Sequence, residues 1–140
     1  MNVQVHRTTL PLHTPFTIAR GTLDTLKVAH LRLEHEGVVG WGEGCPMPGV
    51  TGEDLPTILD QLKALDPEAI DPEDPRGTLD AHPHLGPGAG AALDLALTDL
   101  KGRLTNTPVH ELLDLPEGMA PSAATITLTD PEQAEQQARS

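Results

Sequence analysis

The sequence predicts an α+β fold in which strands come first along the chain and helices follow them. Apolar residues alternate with polar ones over residues 3–12 and 26–34, as they do in half-buried strands. A short Glu-Gly turn separates the second run from a third at 38–43, which is the pattern of a hairpin. Leucines then recur at helical spacing over residues 89–104. The 140 residues are enough for one ordinary domain.

The strand region is interrupted once and is unusually rich in glycine. Pro15, Gly21 and Asp24 predict a loop over residues 13–25. The third strand carries glycine at positions 40, 42 and 44. Glycine weakens a strand, so these positions are compatible with one only where another backbone packs closely.

Four helical segments are predicted after the strands. Residues 51–54 resemble a capping box with Asp in its last position, and a helix follows over 54–65. A short helix is predicted at 77–81, and the strongest helix, over 89–104, carries alanines that would permit close packing. A further short helix starts at Pro108, a residue favoured in the first turn.

The C-terminal part of the sequence predicts a linker, a strand and the start of a helix. Residues 114–121 have linker composition, and 122–128 (Ser-Ala-Ala-Thr-Ile-Thr-Leu) predict a strand. Thr129-Asp-Pro-Glu132 then opens a helix, with a capping residue and acidic side chains near the positive end of the helix dipole.

Composition excludes several classes of function. The chain has 9 Lys and Arg against 21 Asp and Glu, a net charge of −12, which argues against nucleic-acid binding and against anionic membranes. Cys45 is the single cysteine, so it forms no internal disulfide or cysteine zinc site, and a reducing, cytoplasmic location is expected. We expect neither a signal peptide nor a transmembrane helix.

No motif in the sequence makes a self-sufficient active site. His82-Pro-His84 offers two imidazoles, but a solvated loop is favoured over a metal site. Residues 86–91 match G-x-G-x-x-A without the preceding strand that a dinucleotide site needs. Glu43, among glycines, is favoured as a buried acceptor of backbone N–H groups, with a catalytic role as the alternative.

The order of motifs along the chain is nevertheless that of a known family. The motifs are Pro-Phe-x-Ile-Ala-Arg-Gly at 15–21, Gly-x-x-Gly-Trp-Gly-Glu-x-x-Pro at 37–46, Thr-Gly-Glu at 51–53, Ala-Ala-Leu-Asp-x-Ala-Leu-x-Asp-Leu-x-Gly at 91–102 and Pro-x-x-x-Leu-Leu at 108–113. In this order they resemble the N-terminal capping domain of the enolase superfamily, in its muconate-lactonizing-enzyme-like branch. The Ile-Ala-Arg-Gly segment most resembles that of the L-Ala-D/L-Glu type dipeptide epimerases.

The resemblance implies a division of the chain into two parts. Residues 1–119 would form the capping domain, a three-stranded antiparallel sheet followed by helices. Residues 120–140 would form the first strand and partial helix of a truncated (β/α) barrel. Two loops, 15–25 and 46–53, would close over the mouth of the barrel and determine which substrate binds.

The resemblance also assigns substrate-binding roles to four residues. Arg20 matches an arginine that meets the carboxylate of the substrate side chain, a task that suits the two-pronged guanidinium; an ordinary surface arginine is the alternative. Ile18 would line the same pocket, and Val50 occupies a loop position that is often aromatic. Thr125 falls where the family has a threonine facing the substrate.

Catalysis in such enzymes lies on the barrel, where two lysines move the α-proton and three carboxylates hold Mg²⁺. The barrel segments that carry these groups have no counterpart in this sequence. The resemblance therefore assigns no catalytic residue and no metal ligand here. It implies Mg²⁺ and a small-molecule substrate, a dipeptide or acyl amino acid, for the full-length isomerase, and an inactive 140-residue chain. The family commonly assembles through cap and barrel together, so a homo-oligomer is allowed.

Other functions stay open at this point. Thr98 and Ala124 replace residues that are often aromatic in the family, which leaves the substrate undefined. Other members with such a cap include N-acylamino acid racemases, o-succinylbenzoate synthases and muconate cycloisomerases. A stand-alone peptide- or protein-binding module is the alternative from a different class.

Overall fold

The computed structural model describes residues 1–19, 21–118, 121–123 and 125–139. The elements are β1 (Asn2–Ile18), β2 (Gly21–His35), β3 (Val38–Gly44), α1 (Leu55–Lys63), a 3-10 turn (Pro67–Ala69), α2 (Pro75–Asp80), α3 (Pro87–Thr105), α4 (Val109–Leu112) and α5 (Pro131–Arg139). Strands followed by helices confirm the predicted α+β class. Within the described ranges, no helix is long and apolar enough to cross a membrane.

The chain divides into two compact units. The first unit, Met1–Thr8 with Lys27–Glu117, contains the start of β1, residues 27–35 of β2, β3 and helices α1 to α4. The second unit, Thr9–Leu26 with Gly118–Ser140, contains the remainder of β1, the start of β2 and the C-terminal segment. The division into a capping domain and a barrel start stays a prediction.

The three strands form one sheet in the order β1-β2-β3. Strands β2 and β3 are antiparallel, with Ala29 opposite Gly44 and His35 opposite Val38. Glu36 and Gly37 between them have φ angles of 52° and 80°. Positive φ at both central residues is what a two-residue hairpin turn requires, because this turn matches the twist of the strands. The predicted hairpin is confirmed.

The predicted loop over residues 13–25 is wrong, because β1 continues to Ile18 and β2 begins at Gly21. β1 lies at the edge of the sheet, where a proline such as Pro15 removes no necessary ladder hydrogen bond. Threonines favour extended backbone in this region, and the hydroxyls of Thr17 and Thr22 lie 2.9 Å apart. Pro15 and Gly21 therefore do not interrupt the strands, because β1 lies at the edge of the sheet and β-branched threonines favour extended backbone around them.

Helix α1 begins at Leu55, one residue after the predicted start at 54 and three residues later than a capping box with Thr51 as N-cap implies. Asp54, not Thr51, is the N-cap: its Oδ1 accepts hydrogen bonds from the Thr57 amide at 2.9 Å and the Thr57 hydroxyl at 2.6 Å. The Thr57 side-chain hydrogen bond, followed by the backbone hydrogen bond, lowers the pKa of the Asp54 carboxyl below its ordinary value. The ionised cap therefore persists in moderately acidic solution.

Acidification should weaken the start of α1 through Asp54. The folded-state pKa is lowered, so the stabilisation is fully present above the ordinary value of 3.8 and is lost as pH falls through the folded value. Asp54→Asn keeps a capping acceptor that does not titrate. Urea unfolding followed by circular dichroism at about pH 5 and about pH 2.5 should show a smaller acid-induced loss in the variant. An equal loss in both proteins would contradict the cap assignment.

Helix α3 supplies the centre of the hydrophobic core. Leu93, Leu97 and Leu100 are fully buried, which confirms the predicted leucine stripe. They pack with apolar residues of β2 and α1, of which the most buried are Leu31, Leu33, Ile58 and Leu62. Burial of such side chains supplies the main favourable free energy of folding. The core is aliphatic because the chain has almost no aromatic residues.

The glycines of β3 lie against the backbone of α3. A Cβ on Gly40 or Gly42 would overlap the carbonyl oxygen of Ala96 or Ala92, and one on Gly44 would lie 2.7 Å from the Gly88 oxygen. Two strand residues advance about 6.7 Å and four helix residues about 6.0 Å, so successive glycines meet successive helix turns. The predicted close backbone contact at these glycines is confirmed.

The predicted strand over 122–128 is not found in the part of the segment that the structure describes. Residues 121–123 and 125–129 are outside any strand, and Ala124 lies outside the described residues. Parallel barrel strands require neighbouring strands, whereas the described strands all belong to one antiparallel sheet. The predicted helix is confirmed as α5, and the Asp130 carboxylate accepts hydrogen bonds from two amides of its first turn.

Candidate functional site

The first candidate loop is the connection between β1 and β2. Ile18 is the last residue of β1 and is 41% exposed, so its side chain is available to a partner. Arg20, the predicted partner of a substrate carboxylate, lies outside the described residues. The roles of both residues stay predictions.

The second candidate loop, predicted at 46–53, begins at residue 45 in the structure, because β3 ends at Gly44, and residues 45–53 are held by their own hydrogen bonds. The Met47 carbonyl accepts from the Val50 amide at 2.9 Å, the Thr51 amide at 2.8 Å and the Thr51 hydroxyl at 3.2 Å. Gly52 follows with φ of 77°, a left-handed conformation that favours glycine. This turn leaves Val50 73% exposed and Met47 50% exposed. The loop therefore presents two apolar side chains to solvent, where a bound substrate can contact them.

The loop begins with a cysteine of low reactivity. Cys45 is a half-buried free thiol whose pKa is raised, first by burial and then by the nearby Glu43 carboxylate. The thiol is therefore protonated at neutral pH and is a poor nucleophile.

Thr125 lies in the second unit, in an exposed position outside any strand. Near it in sequence, the Leu128 amide donates to the Thr17 carbonyl at 2.8 Å, which ties the C-terminal segment to the end of β1. Ile18 belongs to this unit too, whereas Val50 belongs to the first. Of the predicted site residues that the structure describes, Ile18 and Thr125 therefore belong to the second unit and Val50 to the first.

Glu43 is not the buried acceptor that the sequence favoured. Its side chain is 44% exposed, and its Oε2 lies 3.0 Å from Nε2 of His30 on the neighbouring strand. The other ring nitrogen of His30 lies 3.1 Å from the Thr8 hydroxyl. This row across three strands escaped sequence reasoning, because it depends on the strand register rather than on spacing along the chain.

The buried carboxylate is Glu53, at the end of the second candidate loop. It is 6% exposed, and its Oε2 accepts from the Gly88 amide in the first turn of α3 at 2.6 Å. Helix N-termini attract anions through their free amides and dipole. A carboxylate of the chain itself therefore holds the position that a phosphate would need, and residues 86–91 form no dinucleotide site.

Among the described residues, no group of three His, Cys, Asp or Glu side chains could hold a metal ion. His82 is buried rather than solvated as predicted, and its Nδ1 donates to the Thr78 carbonyl at 2.7 Å. Its ring centre lies 5.7 Å from that of His84. Magnesium, which the resemblance implies for a full-length enzyme, therefore finds no fitting ligand set in these ranges.

Comparison with known proteins adds a family to this geometry. Residues 1–114 match the family described as "Mandelate racemase / muconate lactonizing enzyme, N-terminal domain". The chain is 34% identical over 136 residues to the L-Ala-D/L-Glu epimerase of Escherichia coli K12, covering 94% of this chain and 40% of that protein. It is 31% identical over 137 residues to the hydrophobic dipeptide epimerase of Enterococcus faecalis, covering 92% and 38%.

Solved structures show the same likeness in three dimensions. A dipeptide epimerase from Methylococcus capsulatus, complexed with Mg and the dipeptide L-Arg-D-Lys, superposes with a TM-score of 0.84 at 28% identity. The match covers 99% of this chain and 41% of that one. The chain thus spans about two fifths of the length of the relatives it matches.

Proposed function

The chain belongs, through residues 1–114, to the N-terminal domain family of mandelate racemase and muconate lactonizing enzyme, and on that premise we propose that it is the substrate-selecting part of a dipeptide epimerase. The observation that carries the proposal is its 34% identity to an L-Ala-D/L-Glu epimerase across 94% of its own length. The remainder of such an enzyme would carry the catalytic residues.

Selection would be performed by the two candidate loops. Arg20 would bind the carboxylate of an acidic substrate side chain through two parallel hydrogen bonds. Ile18 and Val50 would contact the apolar part of the dipeptide, and Thr125 would face it from the C-terminal segment. The exposure of the Val50 side chain supports this role, because it leaves the apolar group accessible to a substrate.

The reaction assigned to the complete enzyme is removal and return of the α-proton of a dipeptide, with inversion at that carbon. Mg²⁺, when bound by a complete enzyme, would stabilise the negative charge that develops on the substrate carboxylate. The described residues of this chain supply no step of that proton transfer. Their part is to bind the side chain, orient the dipeptide and exclude water.

A second candidate function is favoured by a different surface. A groove of about 580 Å³ in the first unit is lined by the exposed apolar side chains of Trp41, Leu95 and Val109. Such a patch suits a protein-binding module. The nucleotide sequence after codon 140 separates the two candidates: an open frame with spaced lysines and acidic residues favours the epimerase, and a stop followed by unrelated sequence favours the module.

A chimaera tests the proposed function directly. The chain would replace the matching N-terminal segment of the Enterococcus faecalis hydrophobic dipeptide epimerase, and α-proton exchange of dipeptides and N-acylamino acids in D₂O would be followed by NMR. We expect Mg²⁺-dependent exchange with a dipeptide from the chimaera and none from the 140-residue chain. A chimaera that folds, binds Mg²⁺ and exchanges no dipeptide would count against the proposal.

A further inference from the structure

Glu53 joins the second candidate loop to the longest helix of the chain. We propose that Glu53 is a positioning residue, whose buried carboxylate fixes residues 45–53 on the N-terminus of α3 and so sets where Val50 meets a substrate. The consequence for substrate choice rests on the proposed function. The mechanical part, the fixing of the loop, stands on the geometry of the first unit alone.

The hydrogen bond of Glu53 lies in the first turn of α3, where the helix dipole makes a carboxylate most stabilising. Its acceptor oxygen lies 2.6 Å from the amide of Gly88, the second residue of the 19-residue helix α3. The helix has Gly86 at its N-cap and therefore no capping side chain of its own. Glu53, 33 to 35 positions earlier in the sequence, supplies the anion that this helix terminus lacks.

The glycines around the helix terminus leave room for this carboxylate. A Cβ on Gly86 would overlap the Oε1 and carboxyl carbon of Glu53, and one on Gly88 would lie 3.2 Å from Oε2. Any larger residue at Gly86 would displace the carboxylate. The Gly86 amide is itself held by Gln61 Oε1 at 2.9 Å. The glycine-rich segment thus serves an internal anion.

Both ends of the loop meet the same helix residue. At the first end, Gly44 approaches the Gly88 carbonyl so closely that a Cβ would lie 2.7 Å from its oxygen. At the second end, Glu53 binds the Gly88 amide. The turn at Met47 spans the residues between these ends. A loop fixed at both ends presents Val50 from a defined position, and release of one end would let it move.

The second oxygen of Glu53 is unusual. Oε1 is buried and has no hydrogen-bond partner among the described residues. A buried, unpaired carboxylate oxygen opposes folding, whereas the bond from Oε2 to the helix amide favours it. The contribution of Glu53 therefore comes through its bond to the helix amide, which is the contact that a positioning role uses.

Amide hydrogen exchange on the 140-residue chain tests the mechanical part without any turnover. Glu53→Ala should speed exchange at Gly88, Val50 and Thr51 by at least tenfold, while core amides of β2 stay protected. Glu53→Gln, which keeps an acceptor oxygen, should restore much of the protection. Glu43→Ala is the matched control: it removes an exposed carboxylate near the other end of the loop and should change these rates by less than about twofold.

Two outcomes overturn the proposal. One is unchanged exchange at Val50 and Thr51 in a folded Glu53→Ala chain. If that variant does not fold, Glu53→Asp, whose side chain is one methylene shorter, must accelerate exchange at the same amides or the proposal fails. The other is an active chimaera in which Glu53→Ala leaves the ranking of dipeptides unchanged. An inactive chimaera with accelerated exchange would reject the proposed function and keep Glu53 as the residue that fixes the loop.

Discussion

Replacing Gly42 with alanine should unfold the chain under conditions in which the unmodified chain stays folded. The added methyl group would overlap the backbone carbonyl of Ala92 in α3, and neither the strand nor the helix can yield without breaking its own hydrogen bonds. We expect a loss of roughly 3 kcal/mol or more. That is a large part of the about 5–15 kcal/mol that stabilises a typical domain.

The same substitution at Gly90 provides the control. Gly90 lies in α3, and a Cβ there would meet nothing within 4 Å. Alanine favours helix over glycine by about 0.5–1 kcal/mol, so Gly90→Ala should stabilise the chain. Urea unfolding of the two variants should therefore give shifts of opposite sign. A Gly42→Ala chain as stable as the unmodified one would contradict the packing of α3 on β3.

The second large effect is expected at Leu97. This side chain is fully buried at the centre of the core, and Leu97→Ala should cost about 2–5 kcal/mol through lost burial and a residual cavity. Leu95 lies two positions away on the same helix and is 52% exposed. Leu95→Ala should change stability by no more than about 0.5 kcal/mol.

Thermal unfolding of both leucine variants checks the rotation of α3 about its axis. If the two substitutions cost the same, the buried face of the helix is assigned wrongly.

The helices and the central hairpin could be predicted from the sequence because their signals are local. Leu93 and Leu97 recur at helical spacing, and the Glu36-Gly37 turn joins two alternating runs. The glycines of β3 pointed to a close backbone contact, and the structure places α3 there. Each of these signals depends only on residues near one another in the chain.

The features that sequence reasoning missed depend on distant residues. Pro15 signals a loop locally, yet it lies in a strand because β1 is an edge. Glu53 gives no sign in the sequence that it binds Gly88, and His30 gives none that it meets Glu43. The strand predicted after residue 121 is not found in the described residues, for a related reason: a barrel strand forms only beside neighbouring strands, which lie outside the segment itself.

The dipeptide preference of the chimaera tests most directly the claim that this chain selects the substrate. The ratio of kcat/KM for L-Ala-L-Glu to that for an apolar dipeptide should rise about 10- to 100-fold over the parent Enterococcus faecalis enzyme. The reason is that a hydrogen bond to a charged group contributes about 1.5–3 kcal/mol. Arg20→Met should abolish most of that rise. A chimaera with the parent's ranking, unchanged by Arg20→Met, would contradict the claim.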